Sequence, residues 1–243
     1  MQLDGDVDPT LYGDGYFEQY AGGDYLEAEQ QRRKESRIRI ELLERVAPPP
    51  ARLVEIGSAA GFFLDEARTR GYEVVGIEPN AAMAAHGRDV LSLDVRAGLL
   101  DDVALASASF DAACAFHVVE HLDDPRRALA EIHAALRPGG HLLVEVPNAA
   151  SRAARRLRAR WGPLDLPFHV GHHSPSSLRT LLQRSGFELL LLDTVPFAIY
   201  GASSRVELLA RNAFESLRVR TLLPAGPHPD GHQLLRALAR RRD

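Results

Sequence analysis

The sequence predicts an α/β protein, with a mostly parallel sheet, helices on both of its faces and a helical cap at the N-terminal side. Three observations carry this. Short apolar runs alternate with amphipathic segments of helix length between residues 52 and 195, the pattern of successive strand–helix–strand units. The loop after the first run is small and glycine-rich, EIGSAAG from Glu55 to Gly61. An acid, Glu78, closes the second run.

Each element has its own signal. Residues 1–30 are rich in Gly, Asp and aromatic residues, with Tyr12, Tyr16, Phe17, Tyr20 and Tyr25 closely spaced. A helix is expected from about Arg32 to Val46, where Ile38, Leu42, Leu43 and Val46 form one stripe and Pro48 to Pro50 stop it. RLVEIG (52–57) reads as a buried strand, FFLDEARTRG as a helix closed by Gly71, YEVVGIE (72–78) as a second strand and NAAMAAHGRD as a short helix. A weaker strand lies near Leu93–Ala97, and FDAACAF (110–116) is another. Pro125 to Leu136 is a helix with Asp124 as cap and Pro125 at its first position. RPGG turns the chain into the strand HLLVEVP (141–147).

Residues 148–173 break the rhythm with the basic run SRAARRLRAR and the stretch WGPLDLPFHVGHH. The rhythm then resumes: Ser174 caps, Pro175 opens and Gly186 closes a helix, and a strand runs to Val195. Beyond it the sequence suggests a helix near Ser203–Leu217 and a basic tail, LLRALARRRD, with no further strand evident. The expected division is a lid and cap helix (1–47), a core (48–195) with an insertion at 148–173, and a C-terminal extension (196–243).

Composition narrows the function. A net charge of −4 gives no global field favouring nucleic acid. The lone Cys114 excludes an internal disulfide and a cysteine-built zinc site, and its place on a buried strand points to inert core. No apolar run approaches the ~20 residues needed to span a bilayer. The opening MQLDGDVDPT is acidic and lacks an apolar signal region, so a cytoplasmic protein without membrane partners is expected.

Ligands of open α/β sheets sit at the carboxyl ends of the strands. A dinucleotide fingerprint, G-x-G-x-x-G, fails here, because Ala59 and Phe62 stand at its second and third glycine positions. The loop instead has an acid at its mouth, which repels pyrophosphate and suits an amino group. Glu78 ends the second strand, where an acid can accept hydrogen bonds from both ribose hydroxyls. S-adenosylmethionine carries an amine and a ribose without phosphates.

LVEIGSAAGFFLDEARTRGYEVVGIEPN, SFDAACAFHVVEHLDDP and LRPGGHLLVEVPN together resemble the signature segments of the class I S-adenosylmethionine-dependent methyltransferases. The resemblance covers roughly residues 50–195, with four segments in the family's order. It implies a Rossmann-like sheet of the seven-stranded type, S-adenosylmethionine as cofactor and S-adenosylhomocysteine as product. It also implies that Glu55, Gly57 and Gly61 cradle the methionine end and that Glu78 lies at the ribose. Ala59, Pro79, Leu99 and Phe116 complete the expected cofactor lining. Many relatives carry an acid after the third strand to hold the adenine amine. Here the pair is Gly98-Leu99, which leaves adenine to main-chain groups and apolar packing, with Asp101 nearby.

His117-x-x-Glu120-His121 has the spelling of an inverted zinc-protease motif, but that motif must lie on a helix. Here His117 ends a strand, and the segment instead resembles the methyltransferase loop that lines the cofactor and substrate mouth. The related ubiquinone-biosynthesis O-methyltransferases carry E-x-x-E-H at these positions, linked to a divalent metal. With His117 in the first position, no metal is expected, and Glu120 is read as fixing the loop. The expected reaction is methylation of a small-molecule acceptor at oxygen, with a histidine as base. His169, in FHVGHHSPSSLRTLL, ranks first because that segment resembles a family segment over the substrate side. His117 ranks second, and His121, His172 and His173 follow. Arg152, Arg155, Arg156, Arg158 and Arg160 suit either an anionic acceptor or a solvated helix face. Two rival functions stay open: an RNA or protein methyltransferase using these arginines and the basic tail, and a non-catalytic cofactor-binding protein. The acceptor, the methylated atom and the oligomeric state are not set by the sequence.

Overall fold

A computed structural model describes residues 25–195 and 232–243. Its centre is a seven-stranded sheet of order β3-β2-β1-β4-β5-β7-β6. The strands are β1 (Arg52–Ile56), β2 (Glu73–Glu78), β3 (Asp94–Ala97), β4 (Phe110–Phe116), β5 (Leu136–Pro147), β6 (Phe187–Val195) and β7 (Leu234–Arg241). The first five pair in parallel, and β7 lies antiparallel to both β5 and β6. Between the strands run α2 (Phe62–Thr69), α3 (Ala81–Ala85), α4 (Pro125–Ala135) and α6 (Pro175–Arg184), with the short α5 (Arg152–Leu157) after β5 and α1 (Glu29–Leu43) before β1.

Successive strand residues point to opposite faces, and the core divides accordingly. Val54, Ile56, Ala113, Ala115, Leu142 and Val144 face α4 and α6, against Leu129, Ile132, Leu178 and Leu182. Leu53, Ala112, Cys114 and Leu143 face α1 and α2, against Ile40, Leu43, Phe63 and Leu64. Both faces of the central strands are therefore buried, which explains their nearly unbroken apolar runs. The helix ends follow the expected signals. Asp124 accepts from the N–H groups of Arg126 and Arg127, and Ser174 caps α6 reciprocally with Ser177.

Two expectations need correction. The cap helix starts at Glu29 and ends at Leu43, a turn earlier than the apolar stripe suggests. Arg33 and Arg37 reach Asp65 and Glu66 at 2.8 and 2.9 Å and clamp it to α2. The basic tail is not an extension without sheet structure but β7, inserted between β5 and β6. Leu and Ala favour helix intrinsically, and its arginines hide the pattern. Six of its eight residues are buried, including Arg236, because the tertiary pairing overrides propensity. The expected helix at 203–217 and the residues Tyr12, Tyr16, Phe17 and Tyr20 lie outside the described residues. No helix among the described residues is long and apolar enough to cross a membrane.

Candidate active site

After β1 the chain turns through Gly57 and Ala59, both at positive φ (71° and 45°), and Gly61 precedes α2 at φ 87°. The N–H groups of Gly57 and Ser58 donate to the Ile77 carbonyl at 2.8 and 3.1 Å, which pins the turn to β2. A Cβ at residue 57 would lie 2.5 Å from Val118 Cγ2. The glycine is required because the loop after β4 packs directly on it.

Two acids stand beside this turn. Glu78 accepts from the Ala59 N–H at 2.7 Å and the Asn80 N–H at 2.8 Å. Burial raises its carboxyl to about 7, against the lowering by these two bonds. Glu55 is 4% exposed, and its Oε2 has no hydrogen-bond partner. Burial pushes its carboxyl well above the ordinary range, with Arg39 opposing and Glu78 adding to the rise. Tyr25 senses both acids, stacks on Phe62 with ring centroids 6.0 Å apart, and carries the Arg32 guanidinium 3.5 Å over its own ring. An orphaned buried carboxylate wants a donor, and an ammonium group supplies one. Glu78 retains acceptor capacity for hydroxyls beyond its two backbone bonds. This pair of acceptors fits the ammonium and ribose hydroxyl donors of S-adenosylmethionine.

The other expected lining residues lie around the same ends. Gly98 N–H donates to the Glu78 carbonyl at 3.0 Å, which brings the Gly98-Leu99 pair alongside β2. The Leu99 side chain is exposed, and its N–H donates to Asp102. Asp101 pairs with Arg127 at 3.1 Å, and Pro79 is exposed. Phe116 is buried at the end of β4, edge-on to Phe63, with the Arg39 guanidinium 4.2 Å over its ring.

The loop from His117 to His121 is not helical throughout. His117 stands at φ 58° with its N–H on the Glu145 carbonyl, and a single 3-10 turn, Val119–His121, follows. This strand-to-turn geometry is unlike the single helix that a protease-type zinc motif needs. Glu120 is 1% exposed and accepts no hydrogen bond at either oxygen. His117 Nδ1 lies 3.4 Å from its Oε1. Burial pushes the Glu120 carboxyl up, but His117, His121 and His169 outweigh it and bring it to about 2. His121 and His169 meet edge-to-face, at 76° with 4.6 Å between centroids. The Nδ1 of each meets a backbone carbonyl, of Phe168 and Pro163 respectively. Burial lowers His121 to about 4, so that ring is neutral at pH 7. Glu120, His121 and His169 offer one ligand atom each within 4.8 Å of one another and could hold a metal ion. The structure therefore draws His169 into that set in place of His117.

The sequence offered no signal for one large feature. Arg39 of α1 and Arg236 of β7 both pair with Glu145 of β5 at 2.5 Å, deep beside Phe116. The five arginines of residues 152–160 are exposed. His172 Nε2 meets the Leu164 carbonyl, and His173 is buried.

Comparison with known proteins agrees with this geometry. The methyltransferase-domain family profile matches residues 28–192. A probable S-adenosylmethionine-dependent methyltransferase of Mycolicibacterium smegmatis is 30% identical over 188 residues, 77% of this chain and 70% of that protein. A ubiquinone biosynthesis O-methyltransferase of Hahella chejuensis is 31% identical over 111 residues, covering 43% of this chain and 47% of the relative. A methyltransferase structure from Thermotoga maritima, described as a possible histamine N-methyltransferase, shares the fold with a TM-score of 0.62. It is 21% identical and covers 94% of this chain and 99% of its own. Family match, sheet order and the two acids flanking the glycine turn converge: the chain belongs to the S-adenosylmethionine-dependent methyltransferases.

Proposed function

We propose that this enzyme methylates a small-molecule acceptor at oxygen, with His117 as general base. The observation that carries the choice is position. His117 is one-third exposed, at the end of β4, and the next residue, Val118, packs on Gly57 of the cofactor turn. His169, ranked first from sequence, is buried with its Nδ1 on a carbonyl, and it serves better as support for Glu120 than as base. The O-methyltransferase names among the relatives support oxygen as the methylated atom.

The cofactor, when bound, supplies a methyl group on a sulfonium, open to in-line displacement. The chain holds its amine at Glu55 and its ribose at Glu78, and Leu99 and Phe116 complete the lining. Removing the acceptor proton contributes typically ~10²–10⁴-fold. Residues 25–47 act as cap, 48–195 as the catalytic core, and 148–173 as the acceptor side, where the exposed arginines favour an anionic acceptor. The expected lid of residues 1–24 lies outside the described residues. An RNA or protein substrate loses part of its expected surface, because Arg236 is buried on Glu145.

Calorimetric titration with S-adenosylhomocysteine tests the cofactor site. Glu78→Ala is expected to weaken binding by ~1–3 kcal/mol through stranded donors. Glu78 is neutral below about 7 and ionised above it, and the ionised form accepts hydroxyl hydrogen bonds better. Affinity should therefore rise from pH 6 to 8 in the wild type, and the rise should be smaller in Glu78→Gln, where the raised Glu55 carboxyl alone remains to titrate. Absence of binding to the wild type would sink the reading. In a panel of phenols and carboxylated phenols, His117→Ala should lower kcat by ~10²–10⁴-fold with cofactor affinity unchanged. A larger loss in His169→Ala than in His117→Ala would restore His169 as the base.

A further inference from the structure

Glu120 is the least explained group near the cofactor turn. It is 1% exposed, and neither oxygen accepts a hydrogen bond. A buried anion is costly unless something is gained from it. Four imidazoles surround it. His121 and His169 are held at Nδ1 by the Phe168 and Pro163 carbonyls. His173 is buried, and its ring also senses Glu120. His117 combines a nitrogen 3.4 Å from the carboxylate with a ring one-third exposed. Its backbone is held at φ 58°, a conformation that costs energy for a non-glycine residue and recurs at functional sites.

We infer that Glu120 is a positioning residue: its carboxylate takes the Nδ1–H of His117, which fixes the tautomer and leaves Nε2 as the proton acceptor. The inference rests on the reading of His117 as base. At the present 3.4 Å separation the ring N–H is not aligned on the carboxylate, as catalytic bonds often are not before a ligand closes the site. In the transfer, the acceptor oxygen forms its bond to the methyl carbon, and the carbon–sulfur pair remains on sulfur. The hydroxyl proton ends on His117 Nε2. The resulting imidazolium faces Glu120 from its own loop and Glu145 from β5, the latter paired with Arg39 of α1 and Arg236 of β7. His121, His169 and His173 also lie close enough to influence the carboxylate. The arrangement matches the role of an acid behind a catalytic histidine, which orients the ring and stabilises its charged form without taking the proton.

Nitrogen-resolved NMR of the imidazoles, on the protein saturated with S-adenosylhomocysteine and at a pH where His117 is neutral, tests this directly. The wild type should show His117 protonated at Nδ1 and bare at Nε2. Glu120→Ala should shift it toward the Nε2–H tautomer that a free histidine side chain prefers, and Glu120→Asp should restore part of the original state. With an acceptor from the phenol panel, Glu120→Ala should lower kcat by ~10²-fold or more while KM changes little. A wild-type His117 in the Nε2–H form overturns the inference even if Glu120→Ala fails to fold. So does a stoichiometric divalent metal ion, found by elemental analysis of the purified protein and lost in Glu120→Gln. Failure of the wild type to bind S-adenosylhomocysteine would instead overturn the cofactor reading, which separates the two claims.

Discussion

Gly57 shows how one residue joins two motifs that are far apart in the chain. Its positive φ is uncomfortable for any side chain, and a Cβ there would meet Val118 at 2.5 Å. Both terms act on Gly57→Ala. The substitution is expected to weaken S-adenosylhomocysteine binding at least tenfold, because the turn must move away from the Glu55 and Glu78 carboxylates. Adding Val118→Ala removes the collision but not the φ strain, so the double variant should recover part of the affinity. Calorimetry on the two variants measures the split, and no recovery would mean that backbone conformation alone dominates. The two acids divide their work in the same local way. Glu55 waits for a donor, whereas Glu78 already braces the turn through Ala59.

At the scale of elements, β7 decides most. It supplies the antiparallel partner for β5 along residues 141–147 and for β6 along 187–195. Without it, two strands present unpaired backbone groups, and Leu235, Ala237 and Ala239 leave the core they share with Leu142 and Val144. A chain truncated after residue 231 should therefore lose cooperative thermal unfolding, read by circular dichroism. A truncated protein that melts as sharply as the full chain would show that β7 is dispensable. The α1 helix is attached differently, by a charged clamp to α2 and by Ile40, Leu42 and Leu43 in the core. The apolar contacts carry much of its docking, and the clamp adds to them because Arg33, Asp65 and Glu66 are themselves largely shielded from water.

Across the molecule, Glu145 ties three distant parts of the chain into one unit. Arg39, Glu145 and Arg236 come from α1, β5 and β7, and all three are nearly inaccessible. Burial pushes the Glu145 carboxyl up, but Arg236 and Arg39 outweigh this and hold it well below the usual carboxylate range. A carboxylate with a depressed folded-state value contributes stability above its unfolded value and loses it as pH falls. Acid unfolding should therefore draw on this triad, and Glu145→Ala should flatten the pH dependence between about pH 5 and 2. Removing one member of a buried charge group typically costs ~3–5 kcal/mol, a loss of about 10 °C or more in Tm for a domain of this size. Scanning calorimetry at pH 7 measures it. A change of only a degree or two would mean that the arginines find water or other acceptors.

The sequence by itself determined the alternating architecture from β1 to β6 and the glycine turn after β1. These rest on local signals: unbroken apolar runs for strands buried on both faces, caps such as Asp124 and Ser174, and an acid at each of two strand ends. It also placed Glu55, Gly57 and Glu78 together, because strand-end residues of neighbouring parallel strands must meet. Tertiary structure alone decided the rest. Nothing local marks LLRALARR as a central strand, since its burial depends on pairing with β5 and β6. Nothing local couples Arg39 to Glu145 across 106 residues. Nothing local tells that His169 is buried while His117 is one-third exposed, because exposure is a property of packing that spacing along the chain does not encode.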